Sequence, residues 1–197
     1  MPPETRLAQL LCARFCHDIS GSLGTLVGAL DLVALPDADD EALALAREAA
    51  GVLRDRLMVM RALYGSGPGD GAAIAELLAP ALAERRTVLE ARLDAGLSLE
   101  PTAAAMLVAA ALLGTEALPR GGTLRLEGGG SGFAIRIEGR NAAWPAPLLA
   151  ALEGAALDET ITARHVLGHW LVALATDCGW RVRLGEGAPG ALLLAPG

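Results

Sequence analysis

Apolar residues return at helical spacing along the first third of this chain, twice in succession. In residues 4–35, Cys12, Phe15, Cys16, Ile19, Leu23, Leu26, Leu30 and Val33 follow at intervals of 3, 1, 3, 4, 3, 4 and 3, which marks one face of an α-helix. In residues 40–64, Leu43, Ala46, Ala50, Leu53, Leu57, Met60 and Tyr64 alternate steps of 3 and 4. That is a heptad seam, with Arg47, Glu48, Arg54, Asp55 and Arg61 off it. Between the two, "LPDADD" (35–40) holds a proline that disfavours further helix and aspartates suited to an N-cap. Two long amphipathic helices joined by so short a turn fold back as an antiparallel hairpin. One hairpin cannot cover its own apolar seams, whereas two can do so as a four-helix bundle. A homodimer is therefore expected.

The first helix contains an anomaly. "CHDISGSLGTLVGALD" (16–31) opens on a His-Asp pair and then places Gly21, Gly24 and Gly28 within eight residues. Each interior glycine costs a helix about 1 kcal/mol relative to alanine. At about 100° per residue, His17 falls about 160° from Ile19, opposite the apolar stripe, and the three glycines share its face. That bare face either admits a second helix at close range or leaves the imidazole open to a docking protein. Histidine has a pKa of about 6.5 in model peptides and is a competent neutral nucleophile near neutral pH. Cys12 and Cys16, at i, i+4, lie on the stripe. They are expected as small buried residues, because two soft ligands are too few for zinc.

"GSGPGDG" (65–71) reads as a linker and sets the domain boundary, giving domains at 1–66 and 72–197. Beyond it come a helix (72–86), a strand (87–94), a buried Ala-rich helix (101–118), a β-hairpin (123–139), a helix (159–178) and a closing hairpin (180–195). The order α-β-α-β-β-α-β-β predicts an α+β sandwich, one mixed sheet with helices on one face.

Composition closes off several functions. The net charge is −7 and lysine is absent, so a nucleic-acid partner is not expected. Mean hydropathy is +0.42, but the most apolar stretch, 103–114, is far shorter than the roughly 20 residues of a membrane span. No basic segment followed by an apolar one opens the chain, so the expectation is a cytoplasmic protein without a membrane partner. His165 and His169 stand at i, i+4, but Val166 occupies the position where a zinc-protease helix needs Glu. "GEGAPG" (185–190) has the glycine spacing of a dinucleotide loop but no helix after it, and "GGGSG" (128–132) lies between two strands. Both are turns.

A helix with an outward His-Asp, a returning heptad helix, a short linker and an α+β domain resemble the dimerisation and phosphotransfer domain of sensor histidine kinases followed by their ATP-binding domain. More narrowly, "LLCARFCHDISGSLGTLVGALDLV" (10–33) and "ALPRGGTLRLEG" (117–128) resemble the ChpT-type histidine phosphotransferases of alphaproteobacteria. The fold implied is a dimeric four-helix bundle followed by a degenerate histidine-kinase-type ATPase-like α/β sandwich. The kinase pattern is broken at several points. Ser22 replaces the usual Pro and Gly21 the usual Thr or Asn. Leu113 stands near the place of a magnesium-binding Asn, and "EGRNAAWPAPLL" (138–149) has no adenine-gripping box. The resemblance thus implies no intrinsic cofactor and no ATP binding.

It also implies a phosphorelay intermediate. His17 is the phosphoacceptor, taking a phosphoryl group from one response-regulator receiver domain and passing it to another, with Mg²⁺ brought by the receiver. Asp18 would orient His17, although helix geometry alone does not turn adjacent residues toward one another. Arg14 would meet phosphate or an acidic receiver surface, and Ser20, Gly21, Gly24 and Gly28 would line the docking face. Two rivals keep the same fold: a non-catalytic dimeric pseudokinase that only docks signalling partners, and an active ATP-dependent kinase.

Overall fold

The computed structural model describes residues 2–35, 39–65 and 67–197. Two long helices, α1 (Pro3–Val33) and α2 (Asp40–Leu63), form the expected antiparallel pair. Residues 36–38 of the expected turn, and Ser66 of the linker, lie outside the described residues. The N-cap of α2 is Asp39, whose carboxylate accepts from the Ala42 N–H at 3.0 Å.

The rest is α3 (Gly71–Ala83), β1 (Thr87–Leu93), α4 (Pro101–Glu116), β2 (Gly122–Gly129), β3 (Gly132–Glu138), α5 (Ala146–Leu152), a 3₁₀ turn (Ala163–His165), α6 (Leu167–Asp177), β4 (Trp180–Gly187) and β5 (Gly190–Pro196). The strands make one mixed sheet in the order β1-β2-β3-β5-β4, with β1 and β2 parallel and the other pairs antiparallel. Leu124, Leu126, Ile135 and Ile137 share the face turned to the helices and are buried. The opposite face carries ion pairs such as Arg125–Glu90 and Arg136–Glu127. This period-two division is why the helices lie on one side only.

Helix α4 is the core. Alanines and Met106, Leu107 and Val108 bury it on every side, and it touches α2, α3, α6, β2 and β3. Its small residues allow close approach; a Cβ on Gly114 would collide with Leu124. The end of α2 joins the same core through Val59, Met60, Ala62 and Leu63. The linker at 65–71 therefore separates two segments of chain but not two cores. Among the described residues, the distal part of the hairpin has a small core of its own, Ala29, Ala46 and Ala49.

Two elements differ from expectation. The helix expected over 159–178 begins only at Leu167. Upstream, the Asp158 carboxylate accepts from the Thr160 N–H at 2.8 Å and from its hydroxyl, a local turn that competes with helix. Helix α5 was not foreseen, although Pro147 in its first turn is a start signal.

The buried face of α1 is also rotated from the expected stripe. It runs through Leu11, Arg14, Ser22 and Ala29, about 90° around the wheel from the Ile19-centred stripe. Small Ser22 and Ala29 let α2 approach on that side. The outer half of the stripe, with Leu23 and Leu30, is exposed, as is Val27 beside it. Cys12 and Cys16 lie there and are exposed, not buried as expected.

The candidate phosphoacceptor cleft

His17 projects from the middle of α1 with its side chain 86% exposed. The outward orientation read from the wheel holds. A Cβ built on Gly21, Gly24 or Gly28 meets nothing within 4 Å, so among the described residues no other element packs against the bare face. Ser20 continues that face, and its hydroxyl donates back to the Cys16 carbonyl at 2.6 Å.

Asp18 does reach its neighbour. Its Oδ1 lies 3.1 Å from His17 Nδ1. An ionised carboxylate can only accept, so the imidazole donates Nδ1–H and keeps a free lone pair on Nε2, the nitrogen away from the contact. The contact forms despite the divergence of adjacent residues because Asp18 is held from behind. Its Oδ2 faces Arg14 Nε at 3.6 Å, and its backbone carbonyl accepts from Arg56 Nη1 at 3.2 Å.

Arg14 is placed otherwise than expected. Instead of facing a partner it is buried, 7% exposed. Its Nη2 donates to Glu116 Oε1 at 2.5 Å and its Nη1 to the Arg164 carbonyl at 2.8 Å. A buried guanidinium is tolerated when it is paired in this way, and the pairing fastens α1 to the end of α4. Phe15, Tyr64 and Trp170 continue the seam, with ring centroids 6.4 Å apart in each successive pair. Tyr64 donates to the Leu11 carbonyl at 3.3 Å and Trp170 to the Leu63 carbonyl at 3.2 Å. Burial pushes the Tyr64 phenol up from its ordinary value, with nearby Arg14 opposing it.

Beside His17 lies an open cleft of about 1000 Å³ between α1 and the C-terminal segment. Arg85, Arg86, Arg120, Arg164 and His165 line its far wall. Among the described residues, none of those four arginines pairs with a carboxylate. Arg86 holds its place at φ +56, and Gly121, at φ +75, passes so close to the Arg86 carbonyl that a Cβ would clash. These residues were missed in the sequence. The signals were "ERR" (84–86) after a helix and the arginine of "LPRGG" (118–122) before a strand, but nothing local shows that the fold brings them to His17.

His165 and His169 do not form a metal pair. His165 ends the 3₁₀ turn, exposed, while both ring nitrogens of His169 are buried inside α6 without partners. Among the described residues no group of three or more His, Cys, Asp or Glu could hold a metal ion. Leu113, at the position where the resemblance places a magnesium-binding Asn, packs in the core at 2% exposed. No helix of the described residues is long and apolar enough to cross a membrane.

Comparison with known proteins places this geometry. Residues 71–188 match the family model of the histidine phosphotransferase C-terminal domain. Over 186 residues, 90% of this chain and 89% of the relative, the sequence is 31% identical to the protein phosphotransferase ChpT of Brucella abortus (strain 2308). A bacterial phosphotransferase whose structure was solved at 1.7 Å superposes with a TM-score of 0.81 at 28% identity, covering 97% of this chain and 96% of that one.

Proposed function

The chain belongs to the histidine phosphotransferase family, and from that premise we propose that His17 is its phosphoacceptor and the cleft beside it the place where a response-regulator receiver domain docks. The protein is a protein-histidine phosphotransferase of phosphorelay signalling. The observation that carries the site assignment is the exposed His17 with Nδ1 engaged by Asp18. Of the three histidines, His165 and His169 have no carboxylate partner among the described residues.

In this reading His17 Nε2 attacks the phosphorus of a receiver's aspartyl phosphate. The N–P bond forms, the acyl P–O bond breaks and the receiver carboxylate leaves. The reverse step passes the group to a second receiver. Asp18 holds the proton on Nδ1 and stabilises the positive charge that the ring gains. The receiver supplies Mg²⁺, which neutralises charge on the group in transit, so this chain needs no metal ligands. The unpaired Arg85, Arg86, Arg120 and Arg164 suit the acidic, phosphate-bearing surface of such a partner. The bare run of Gly21, Gly24 and Gly28 leaves room for it along α1. The core placement of Leu113 and the lack of an adenine-gripping box support a domain that does not bind ATP.

We also propose a homodimer. Among the described residues, nine large apolar side chains of the hairpin, Leu23 and Leu30 among them, are between 38% and 53% exposed. A second hairpin covers such faces as a four-helix bundle.

Incubation with a phosphorylated receiver tests the assignment. Wild type gains an acid-labile phosphoryl group and His17→Ala gains none. Equal labelling of the two would sink it.

A further inference from the structure

We infer that Glu116, in the last turn of the core helix α4, is a positioning residue for the reaction at His17, acting through Arg14 on Asp18. The inference rests on His17 being the phosphoacceptor.

The contacts run in one line. Glu116 Oε1 holds Arg14 Nη2 at 2.5 Å, Arg14 Nε faces Asp18 Oδ2 at 3.6 Å, and Asp18 Oδ1 meets His17 Nδ1 at 3.1 Å. The 3.6 Å step is an ion pair and not a hydrogen bond; Arg14 Nε has no hydrogen-bond partner among the described residues. Asp18 thus divides its oxygens, one toward the guanidinium and one toward the imidazole. A guanidinium free to turn takes both oxygens of a carboxylate in a bidentate pair. Glu116 and the Arg164 carbonyl occupy the other edge of Arg14 and so prevent this. Oδ1 is thereby left to His17.

Glu116 has little to offer α4 itself. A carboxylate in the last turn opposes the helix dipole. Nor is it the sole anchor of α1, which Phe15 and Tyr64 already tie to Trp170. Its placement makes sense as a part of the site contributed by the C-terminal segment, about a hundred residues from the histidine it serves.

The test uses the full chain with the His17 ring labelled with ¹⁵N, and phosphoramidate as a small donor. The P–N bond of phosphoramidate breaks, the His17 Nε2–P bond forms, and ammonia leaves with the proton. In wild type the ring proton sits on Nδ1. In Glu116→Gln the ¹⁵N shifts move toward the Nε2–H form favoured by free imidazole, and the rate of His17 phosphorylation drops about tenfold. The double variant Arg14→Glu with Glu116→Arg separates positioning from anchoring. It keeps an ion pair between α1 and α4 but sets a carboxylate against Asp18, so it regains thermal stability while transfer stays slow. Wild-type tautomer and rate in Glu116→Gln, or a swap that restores rate together with stability, would overturn the inference. If wild type itself takes no phosphoryl group on His17, the assignment of the site fails instead.

Discussion

In the proposed mechanism the chemistry turns on which ring nitrogen of His17 is free, and the Asp18 contact at Nδ1 leaves Nε2 open. Asp18→Asn keeps the shape but can present an N–H to Nδ1, favouring the wrong tautomer. Phosphoryl transfer is expected to drop by at least about tenfold, with little change in melting temperature, in a labelled-receiver assay. Arg14→Ala belongs to a different class. It leaves Glu116 without its cation, and denaturant unfolding should show a loss of about 3 kcal/mol, the usual scale for breaking a buried pair. Tyr64 sets a pH dependence. Its pKa is raised from 10.0 by burial, so the folded state favours the neutral phenol. That contribution is full below pH 10.0 and is lost as pH rises through the raised value. Tyr64→Phe should flatten the alkaline limb of stability against pH and leave the neutral region unchanged in slope. At this scale the sequence was legible where a side chain faces solvent, as His17 does. It was not where burial depends on a distant partner. Arg14 reads as a surface cation until Glu116 arrives from α4, and Cys12 and Cys16 read as core until α1 turns its other flank inward.

Periodicity carried the elements well. The 3-4 spacing marks both helices of the hairpin to within about two residues. What it could not give is which part of a wide apolar stripe faces inward, because Ser22 and Ala29 are chosen for close approach rather than for hydrophobicity. Helix α6 starts late for a similar reason, since the Asp158 turn outcompetes a helical pattern in the preceding segment. The glycines of α1 offer an element-scale prediction. With open space around each, Gly21→Ala and Gly24→Ala should each stabilise the fold by about 1 kcal/mol. If the bare face is where a receiver docks, the same variants slow transfer from a receiver while phosphorylation by phosphoramidate is unchanged. Unchanged transfer from the receiver would show that the face has another use.

The molecule as a whole joins a hairpin to an α+β unit so that neither completes the proposed site alone. His17, Asp18 and Arg14 come from α1, while Glu116 and the arginine wall come from beyond residue 83. The family resemblance pointed to this architecture, and the order of elements predicted the mixed sheet. The cleft depends on contacts across the full chain, which no local pattern encodes. The exposed apolar faces of the hairpin carry the whole-molecule prediction: Leu23→Glu with Leu30→Glu converts a dimer to a monomer in light scattering after size exclusion. A wild type that runs as a monomer contradicts the four-helix bundle. The central claim, that phosphoryl groups pass through His17, is tested most directly by locating the modification. The full chain is incubated with a phosphorylated receiver, digested at neutral to mildly alkaline pH and read by mass spectrometry. The phosphoryl group is expected on the peptide containing His17 and on neither His165 nor His169. A phosphoryl group found on either of those, or on no histidine at all, contradicts the account.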